Sequence, residues 1–201
     1  MSLDLSYTKS NRRKFYLTLS REREMEDALT LVSYFSSPIL DIGASEGKTY
    51  RIFKKLGLSN DYIMTELDKK LVLTLKRRFP EANVVQCSAS YLPFRKNSVN
   101  TLSLNVINWK PIDQERHLFE LERISKEIFV ISLYSKLKSF EEFKQYLKFS
   151  RKLVKYCKEN FMLFSKYEDE IGILDLYVKI KNHEWGRWDL NPGYGLPKPA
   201  S

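Results

Sequence analysis

The sequence contains few residues that bind metals. Its 201 residues include two cysteines, Cys87 and Cys157, and two histidines, His117 and His183. These four residues do not have the spacing of a zinc-binding cluster. We therefore expect no structural zinc, and we interpret Cys87 as a packed thiol at the end of a buried strand.

Long apolar runs are also missing. No segment approaches the roughly 20 consecutive apolar residues that a membrane-spanning helix needs, and the first residues lack the apolar core of a secretory signal. Hydrophobic residues make up 43% of the chain and charged residues 29%, which is typical of a globular protein with a full core. We expect one cytoplasmic domain without a membrane partner.

Acidic residues are outnumbered by basic ones. The formal net charge is +9 and the pI is about 9.4. Such an excess indicates attraction to a polyanion, such as nucleic acid or an anionic membrane surface. A composition rich in both lysine and glutamate, as in thermophiles, is the alternative explanation.

Short apolar runs alternate with segments of helical periodicity through the first two thirds of the chain. Strands are predicted at 38–41, 62–65, 83–87, 99–104 and 128–133. Helices are predicted at 21–35, capped by Ser20, at 48–56, at 68–79 and from Asp113 onwards. This alternation predicts an α/β fold with a Rossmann-like, mostly parallel sheet and helices on both faces.

The last third has a different pattern. A long basic helix is predicted at 140–161, followed by strands at 161–166 and 171–179. The short charged turn between these strands predicts a C-terminal antiparallel strand pair. We divide the chain into a basic arm at 1–20, a domain at 21–182 and an aromatic, Pro- and Gly-rich tail at 183–201.

The most informative segment is the run from Asp41 to Thr49, between the first predicted strand and the next helix. Ligands bind at this edge of open α/β sheets. A phosphate-binding loop requires a glycine at position 42, where the chain has Ile42. The spacing also fails the dinucleotide pattern G-x-G-x-x-G. A nucleoside site of the form D-x-G-x-x-x-G is the third interpretation.

This order of motifs resembles the class I S-adenosylmethionine-dependent methyltransferases over roughly residues 38–133. The segment from Asp41 to Gly47 resembles the glycine-rich motif whose loop holds the methionine part of the cofactor. Glu66 resembles the acidic residue that binds both ribose hydroxyls, a role that suits a carboxylate because charge-assisted hydrogen bonds are strong. The resemblance implies S-adenosylmethionine as cofactor and methyl transfer as reaction.

Two later segments extend the resemblance. Ser88-Ala89, followed by Leu92-Pro93-Phe94, resembles the segment that borders the adenine, and Ser98-Val99-Asn100 resembles the opening of the fourth strand. The residues that the resemblance implies as cofactor-binding are Asp41, Gly43, Ala44, Ser45, Gly47, Glu66, Leu67, Ser88, Ala89 and Asn105.

Three positions depart from the family pattern. Ser45 replaces the middle glycine, Ser88 replaces an aspartate near the adenine amino group, and Asn100 replaces an aspartate that often supports the site. Two alternatives therefore stand beside an active methyltransferase. One is an ATPase or GTPase that uses Lys48 and Thr49, and the other is a non-catalytic binding protein that kept the fold.

The acceptor side of the site is sparsely marked. Asn105, Asn108 and Trp109 lie just beyond the fourth strand, where the methyl group should emerge. We find no general base there, since His117 and His183 are assigned to a helix and to the tail. We therefore hypothesise a nitrogen acceptor, with Asn105 and Asn108 as catalytic residues that orient the N–H. Nucleic acid, protein and small-molecule acceptors all fit this hypothesis.

The predicted basic helix at 140–161 is a candidate surface for nucleic acid. Basic side chains at helical spacing can share one stripe along it. A solvated surface is the alternative interpretation, since charge runs commonly have that role. The stripe consists of Lys144, Lys148, Arg151, Lys155 and Lys158.

Overall fold

The structure is a computed structural model that describes residues 19–104, 114–137, 153–169 and 172–181. The helices are α1 (Leu19–Ser33), α2 (Lys48–Lys55), α3 (Lys69–Arg78) and α4 (Gln114–Ile124), and residues 153–160 are also helical. The strands are β1 (Ile39–Ile42), β2 (Tyr62–Glu66), β3 (Asn83–Gln86), β4 (Val99–Leu104), β5 (Ser125–Leu137), β6 (Met162–Glu168) and β7 (Gly172–Ile180). The predicted arm, Asn105, Asn108, most of the basic helix and the tail lie outside the described residues.

All seven of these strands form one sheet in the order β3-β2-β1-β4-β5-β7-β6. Neighbouring strands from β3 to β5 are parallel, whereas β7 is antiparallel to both β5 and β6. The predicted Rossmann-like, mostly parallel sheet with a C-terminal antiparallel pair is therefore confirmed. Because β1 to β4 are parallel, the loops that follow them meet at one edge, which we call the carboxyl edge.

Two apolar layers cover the faces of the sheet, as the prediction of helices on both faces requires. One layer contains apolar residues of α1, α2 and α3, including Leu29, Phe53 and Leu75. The other contains residues of α4 and of the helical segment 153–160, including Leu121 and Cys157. Successive strand residues point to opposite faces, so the buried, apolar β1 supplies both layers.

Local signals at two helix ends are confirmed. The Asp68 side chain caps α3 by accepting a hydrogen bond from the Lys70 backbone N–H at 2.7 Å. Gly57 follows α2 with a φ of 65°, and its N–H donates to the Lys54 carbonyl at 3.1 Å. This is the backbone conformation for which glycine is favoured at a helix C-terminus.

Three boundaries differ from the predictions. Ser20 lies inside α1 and is not its cap, since the helix already includes Leu19. Cys87 is half-buried and follows β3, which ends at Gln86. β5 extends well beyond 128–133 because it pairs with β7 as far as the Leu137–Gly172 register. That pairing depends on a distant strand, which a local pattern cannot reveal.

Gly47 packs against α3, and we predict that an alanine there is costly. A Cβ at Gly47 would lie 2.5 Å from Phe79 Cε2 and 2.9 Å from Leu75 Cδ2, on backbone with a φ of +76°. Gly47→Ala should lower the free energy of unfolding by about 2–4 kcal/mol, from the positive φ and overpacking together. Chemical denaturation of the full chain measures this change.

Gly57→Ala is the matched control for this prediction. Its φ is +65°, but nothing lies within 4 Å of its ideal Cβ. The control should therefore lose only about 1–2 kcal/mol, the cost of left-handed backbone for a residue with a side chain. Equal losses in the two variants would contradict the proposed packing at Gly47.

Candidate functional site

The loop between β1 and α2 turns sharply at the carboxyl edge. Gly43, Ser45 and Gly47 all have positive φ, at 72°, 53° and 76°. The backbone N–H groups of Gly43 and Ala44 both donate to the carbonyl of Thr65, at 2.9 Å each. These bonds fix the loop against the end of β2. A serine in this conformation is uncommon, whereas glycine adopts it without steric cost.

Glu66 joins two loops through one carboxylate. Its Oε2 accepts a hydrogen bond from the Ser45 backbone N–H at 2.9 Å. Its Oε1 accepts from the N–H groups of Leu67 and Asp68, at 2.8 and 3.2 Å. The side chain is half-buried at the end of β2. Because a carboxylate offers about four lone-pair positions, Glu66 retains capacity to accept a further hydrogen bond.

Asp41 lies beneath the turn rather than at its surface. The residue is 2% exposed, and its Oδ2 accepts a hydrogen bond from the Tyr62 hydroxyl at 3.0 Å. Burial raises the pKa of Asp41 to about 7, with the Tyr62 hydrogen bond opposing the shift and the Glu66 charge adding to it. Direct contact of Asp41 with a cofactor stays a prediction.

The ends of β2 and β3 form a neighbouring part of the edge. The two strands remain paired there, since the Cys87 N–H donates to the Glu66 carbonyl at 3.1 Å. The Leu67 side chain is 55% exposed. A tight turn begins at Ser88, whose carbonyl accepts from the Tyr91 N–H at 3.0 Å. An exposed apolar side chain beside such a turn provides a surface on which a flat ring can pack.

Comparison with known proteins gives one match to a family model. Residues 40–128 match the model described as a methyltransferase domain. This segment extends from the middle of β1 into β5 and includes the loops described above. No curated protein sequence matches the chain significantly.

Solved structures with the same fold are numerous. A SAM-dependent methyltransferase from Aquifex aeolicus is 14% identical with a TM-score of 0.57, covering 85% of this chain and 98% of its own. The PH0226 protein of Pyrococcus horikoshii is 12% identical with a TM-score of 0.55, at 85% and 98% coverage. A phosphoethanolamine N-methyltransferase 2 of Haemonchus contortus, solved with S-adenosylhomocysteine, is 13% identical with a TM-score of 0.61, at 79% and 52% coverage.

Residues 40–128 are thus similar to a methyltransferase domain, and the sheet has the fold of solved SAM-dependent methyltransferases. A cofactor of the S-adenosylmethionine type is what these solved structures suggest for the edge. The described residues fit this group by their chemistry, since a carboxylate, a positive-φ turn and an exposed apolar side chain occur along the edge. The structure brings together Gly43, Ser45 and Glu66, and it places Ser88 on the next strand end.

Asn100 is separate from the carboxyl edge. It lies near the amino end of β4, where its Oδ1 accepts from the N–H groups of Glu127 and Ile128 at 3.0 and 3.2 Å. Its Nδ2 donates to the Glu127 carboxylate at 3.2 Å. Asn100 therefore joins β4 to β5 at the edge opposite the loops. The asparagine that replaces the family's aspartate at position 100 therefore does not alter the surface of the carboxyl edge.

The sequence analysis missed the polar face of α4. His117 is 3% exposed and Glu120 is 2% exposed. Arg123 donates to the carbonyls of Leu92 and Phe94, at 2.8 and 2.7 Å. These side chains are three residues apart and therefore lie along one side of the helix. Their spacing is visible in the sequence, but their partners are in the distant 89–94 loop and in β4.

A buried ionic cluster near the end of β5 was missed as well. Arg21 is 1% exposed and forms an ion pair with Glu24, which is fully buried. Glu24 also accepts a hydrogen bond from the Ser132 hydroxyl. Burial raises the pKa of Glu24, against the opposing effect of Arg21. Among the described residues, the Arg21 Nε has no hydrogen-bond partner.

Asp41→Asn should change the pH dependence of stability. The raised pKa means that Asp41 holds its proton more tightly in the folded state than in the unfolded state. Its contribution is therefore complete below its ordinary pKa of 3.8 and is lost as the pH rises to about 7. The expected loss is up to about 4 kcal/mol, and the asparagine variant should not show it.

Denaturation of the full chain at several pH values between 4 and 8 measures this effect as the difference between wild type and variant. Asp61→Asn is the matched control, since Asp61 is exposed just before β2. The control should follow the wild-type pH profile. An Asp41→Asn profile parallel to that of the wild type would contradict the burial effect.

Proposed function

We propose that the chain transfers the methyl group of S-adenosylmethionine to a nitrogen atom of its acceptor. The observation that carries the cofactor part is the Glu66 carboxylate, which lies at the carboxyl edge and accepts the N–H of Ser45 from the glycine-rich loop. Its remaining acceptor position suits a hydroxyl of a ribose.

The cofactor-binding roles follow from the order of the strand ends. The loop from Gly43 to Gly47 would hold the methionine part, with Asp41 supporting it from below. Glu66 would bind the ribose, and Leu67 with the Ser88-Ala89 segment would border the adenine. The bound cofactor supplies a methyl group that its positive sulfonium already activates, so the chain has only to bind and orient.

A nitrogen acceptor agrees with catalysis by positioning. When the nitrogen lone pair is available, correct alignment of the reactants supplies much of the rate enhancement. We assign this orientation to Asn105 and Asn108, which follow Leu104 at the end of β4 and lie outside the described residues. Their amide oxygens would accept the N–H of the acceptor. His117, which is buried and bonded within the fold, is not assigned a role as base.

The nucleotide-hydrolysing alternative has less support. Lys48 Nζ lies 3.3 Å from the carboxylate of Glu22, with which it forms an ion pair. Thr49 is only 6% exposed. A phosphate-binding loop needs its lysine and its hydroxyl directed at phosphate and magnesium. These positions favour a methyltransferase over an ATPase or GTPase.

The compartment and the remaining partners are also proposals. No helix in the described part of the chain has the length and apolar composition to cross a membrane. Cys87 and Cys157 are both free thiols, which agrees with a reducing compartment such as the cytoplasm. Nucleic acid binding through 140–161 stays a prediction. Two residues of its basic stripe, Lys155 and Lys158, are exposed. The domain limits of 21–182 are likewise proposed.

Glu66→Ala should weaken binding of S-adenosylhomocysteine. Loss of one charge-assisted hydrogen bond corresponds to roughly 10- to 100-fold in Kd. Titration calorimetry on the full chain measures this change. The melting temperature should also fall, since three backbone N–H groups lose their acceptor. Glu115→Ala, at an exposed position of α4, should change neither quantity.

The wild-type protein provides the test of ligand class. S-adenosylmethionine or S-adenosylhomocysteine should raise its melting temperature by mass action, whereas ATP with magnesium should not. Stabilisation by ATP alone would overturn the proposal. An unchanged Kd in Glu66→Ala would remove the ribose role from Glu66.

The nitrogen-acceptor mechanism predicts a separation of turnover from affinity. Asn105→Ala and Asn108→Ala should lower the rate at saturating cofactor by about tenfold or more, since orientation of the acceptor is lost. The Kd for S-adenosylhomocysteine should change by a smaller factor than the rate. Asn83→Ala, at an exposed position of β3, is the control. Equal rates in all three variants would contradict the assignment.

A further inference from the structure

The imidazole of His117 connects the proposed adenine border to the end of β4. Its Nδ1 lies 2.9 Å from the carbonyl oxygen of Ala89, and its Nε2 lies 2.8 Å from the Ser103 hydroxyl. Ser103 is the residue before Leu104, the last of β4, and is fully buried. One side chain of α4 therefore contacts two elements at the carboxyl edge.

These partners determine where the imidazole proton lies. A carbonyl oxygen can only accept, so Nδ1 carries the hydrogen and donates it to Ala89. In the neutral ring Nε2 then has a free lone pair, which accepts the hydrogen bond of the Ser103 hydroxyl. Burial lowers the pKa of His117, and the Ala89 hydrogen bond and the Glu120 charge oppose this shift. The lowered pKa favours the neutral ring. Both ring nitrogens thus have a defined partner.

The same side of α4 holds the rest of this loop. Glu120 accepts a hydrogen bond from the Leu92 N–H at 2.8 Å. Arg123 pairs with Glu120 and binds the carbonyls of Leu92 and Phe94. Of these three α4 side chains, His117 is the one that contacts both the end of β4 and Ala89. Ala89 directly follows Ser88. The position of the 88–89 segment therefore depends on His117 more directly than on Glu120 or Arg123.

We propose that His117 is a positioning residue for cofactor binding, whose Nδ1–H holds the Ala89 carbonyl and thereby the adenine end of the site. This inference rests on the proposed function, because the adenine role of Ser88-Ala89 comes from there. His117 itself contacts neither substrate nor reacting atoms in this assignment. It acts through the backbone of Ala89.

Two substitutions separate the positioning role from a general structural one. In His117→Asn the side-chain amide nitrogen can occupy the place of Nδ1 and donate to Ala89. In His117→Gln the longer amide reaches the place of Nε2, near Ser103, and leaves the Ala89 carbonyl without its donor. Both variants remove the ring, so both should lose stability, but only the glutamine variant should bind the cofactor more weakly.

The experiment measures the Kd of the full chain for S-adenosylhomocysteine and for 5′-methylthioadenosine, which shares the adenosine and lacks the amino acid. His117→Gln should weaken both ligands by the same factor, about three- to tenfold for one lost hydrogen bond. His117→Asn should remain within twofold of the wild type. His183→Gln is the matched control for loss of a histidine and should equal the wild type.

The outcomes distinguish this inference from the proposed function. If the wild type binds neither ligand, the proposed function fails. If it binds both but the asparagine and glutamine variants lose affinity equally, or if the loss is confined to S-adenosylhomocysteine, the positioning role is overturned.

A second measurement does not depend on the folding of the His117 variants. The chain has only two histidines, His117 and His183, so ¹⁵N-histidine spectra of the wild type contain few signals. We expect one neutral ring with its proton on Nδ1, whose signals move when either ligand is added. His183→Gln assigns the signals. A His117 ring with its proton on Nε2, or one insensitive to both ligands, would overturn the inference.

Discussion

The carboxylate of Glu66 is the interaction on which the carboxyl edge depends. It accepts backbone hydrogen bonds from the loop after β1 and from the loop after β2. Neither loop has a helix or strand to satisfy those N–H groups at that point, and unpaired backbone groups are costly when they are shielded from water. One negative charge therefore fixes the relative position of two loops. The same charge stands where a ribose is proposed to bind.

A second constraint acts from the face of the sheet that carries α4. The loop from Ala89 to Phe94 has irregular backbone, and side chains of α4 supply several of its hydrogen-bond partners. Arg123 donates to two carbonyls of this loop, which its planar guanidinium with several fixed donors can do at once. This loop, which includes the proposed adenine border, is thus held by a helix that comes later in the chain.

Buried charge near the end of β5 adds a cost that the fold has to offset. Arg21 and Glu24 are both buried. The attraction between two buried charges commonly only balances the free energy lost when their hydration is removed. The Tyr134 hydroxyl donates to Asp169 at 2.6 Å in the same region. Burial raises the pKa of Tyr134, although Arg21 opposes the shift. Ionisable groups shifted in this way concentrate at functional sites as well as in structural ion-pair networks.

Much of this protein could be predicted from local pattern. The alternation of apolar runs with helical periodicity determined the class of fold, because strands and helices each need an apolar side directed at the core. Asp68 and Gly57 marked helix ends through their own backbone chemistry. The spacing from Asp41 to Gly47 and the acid at Glu66 indicated two loops that the structure joins at the carboxyl edge. These features depend on residues close together in the chain.

The tertiary structure decided which partners those residues have. It directed Asp41 to Tyr62 beneath the loop, and it placed Asn100 at the opposite edge of the sheet. It also brought His117 of α4 to Ala89, which is 28 residues earlier. Hydrogen bonding and burial depend on distances in space. Contacts between distant segments exist only once the sheet order is set, so no local pattern in the sequence could specify them.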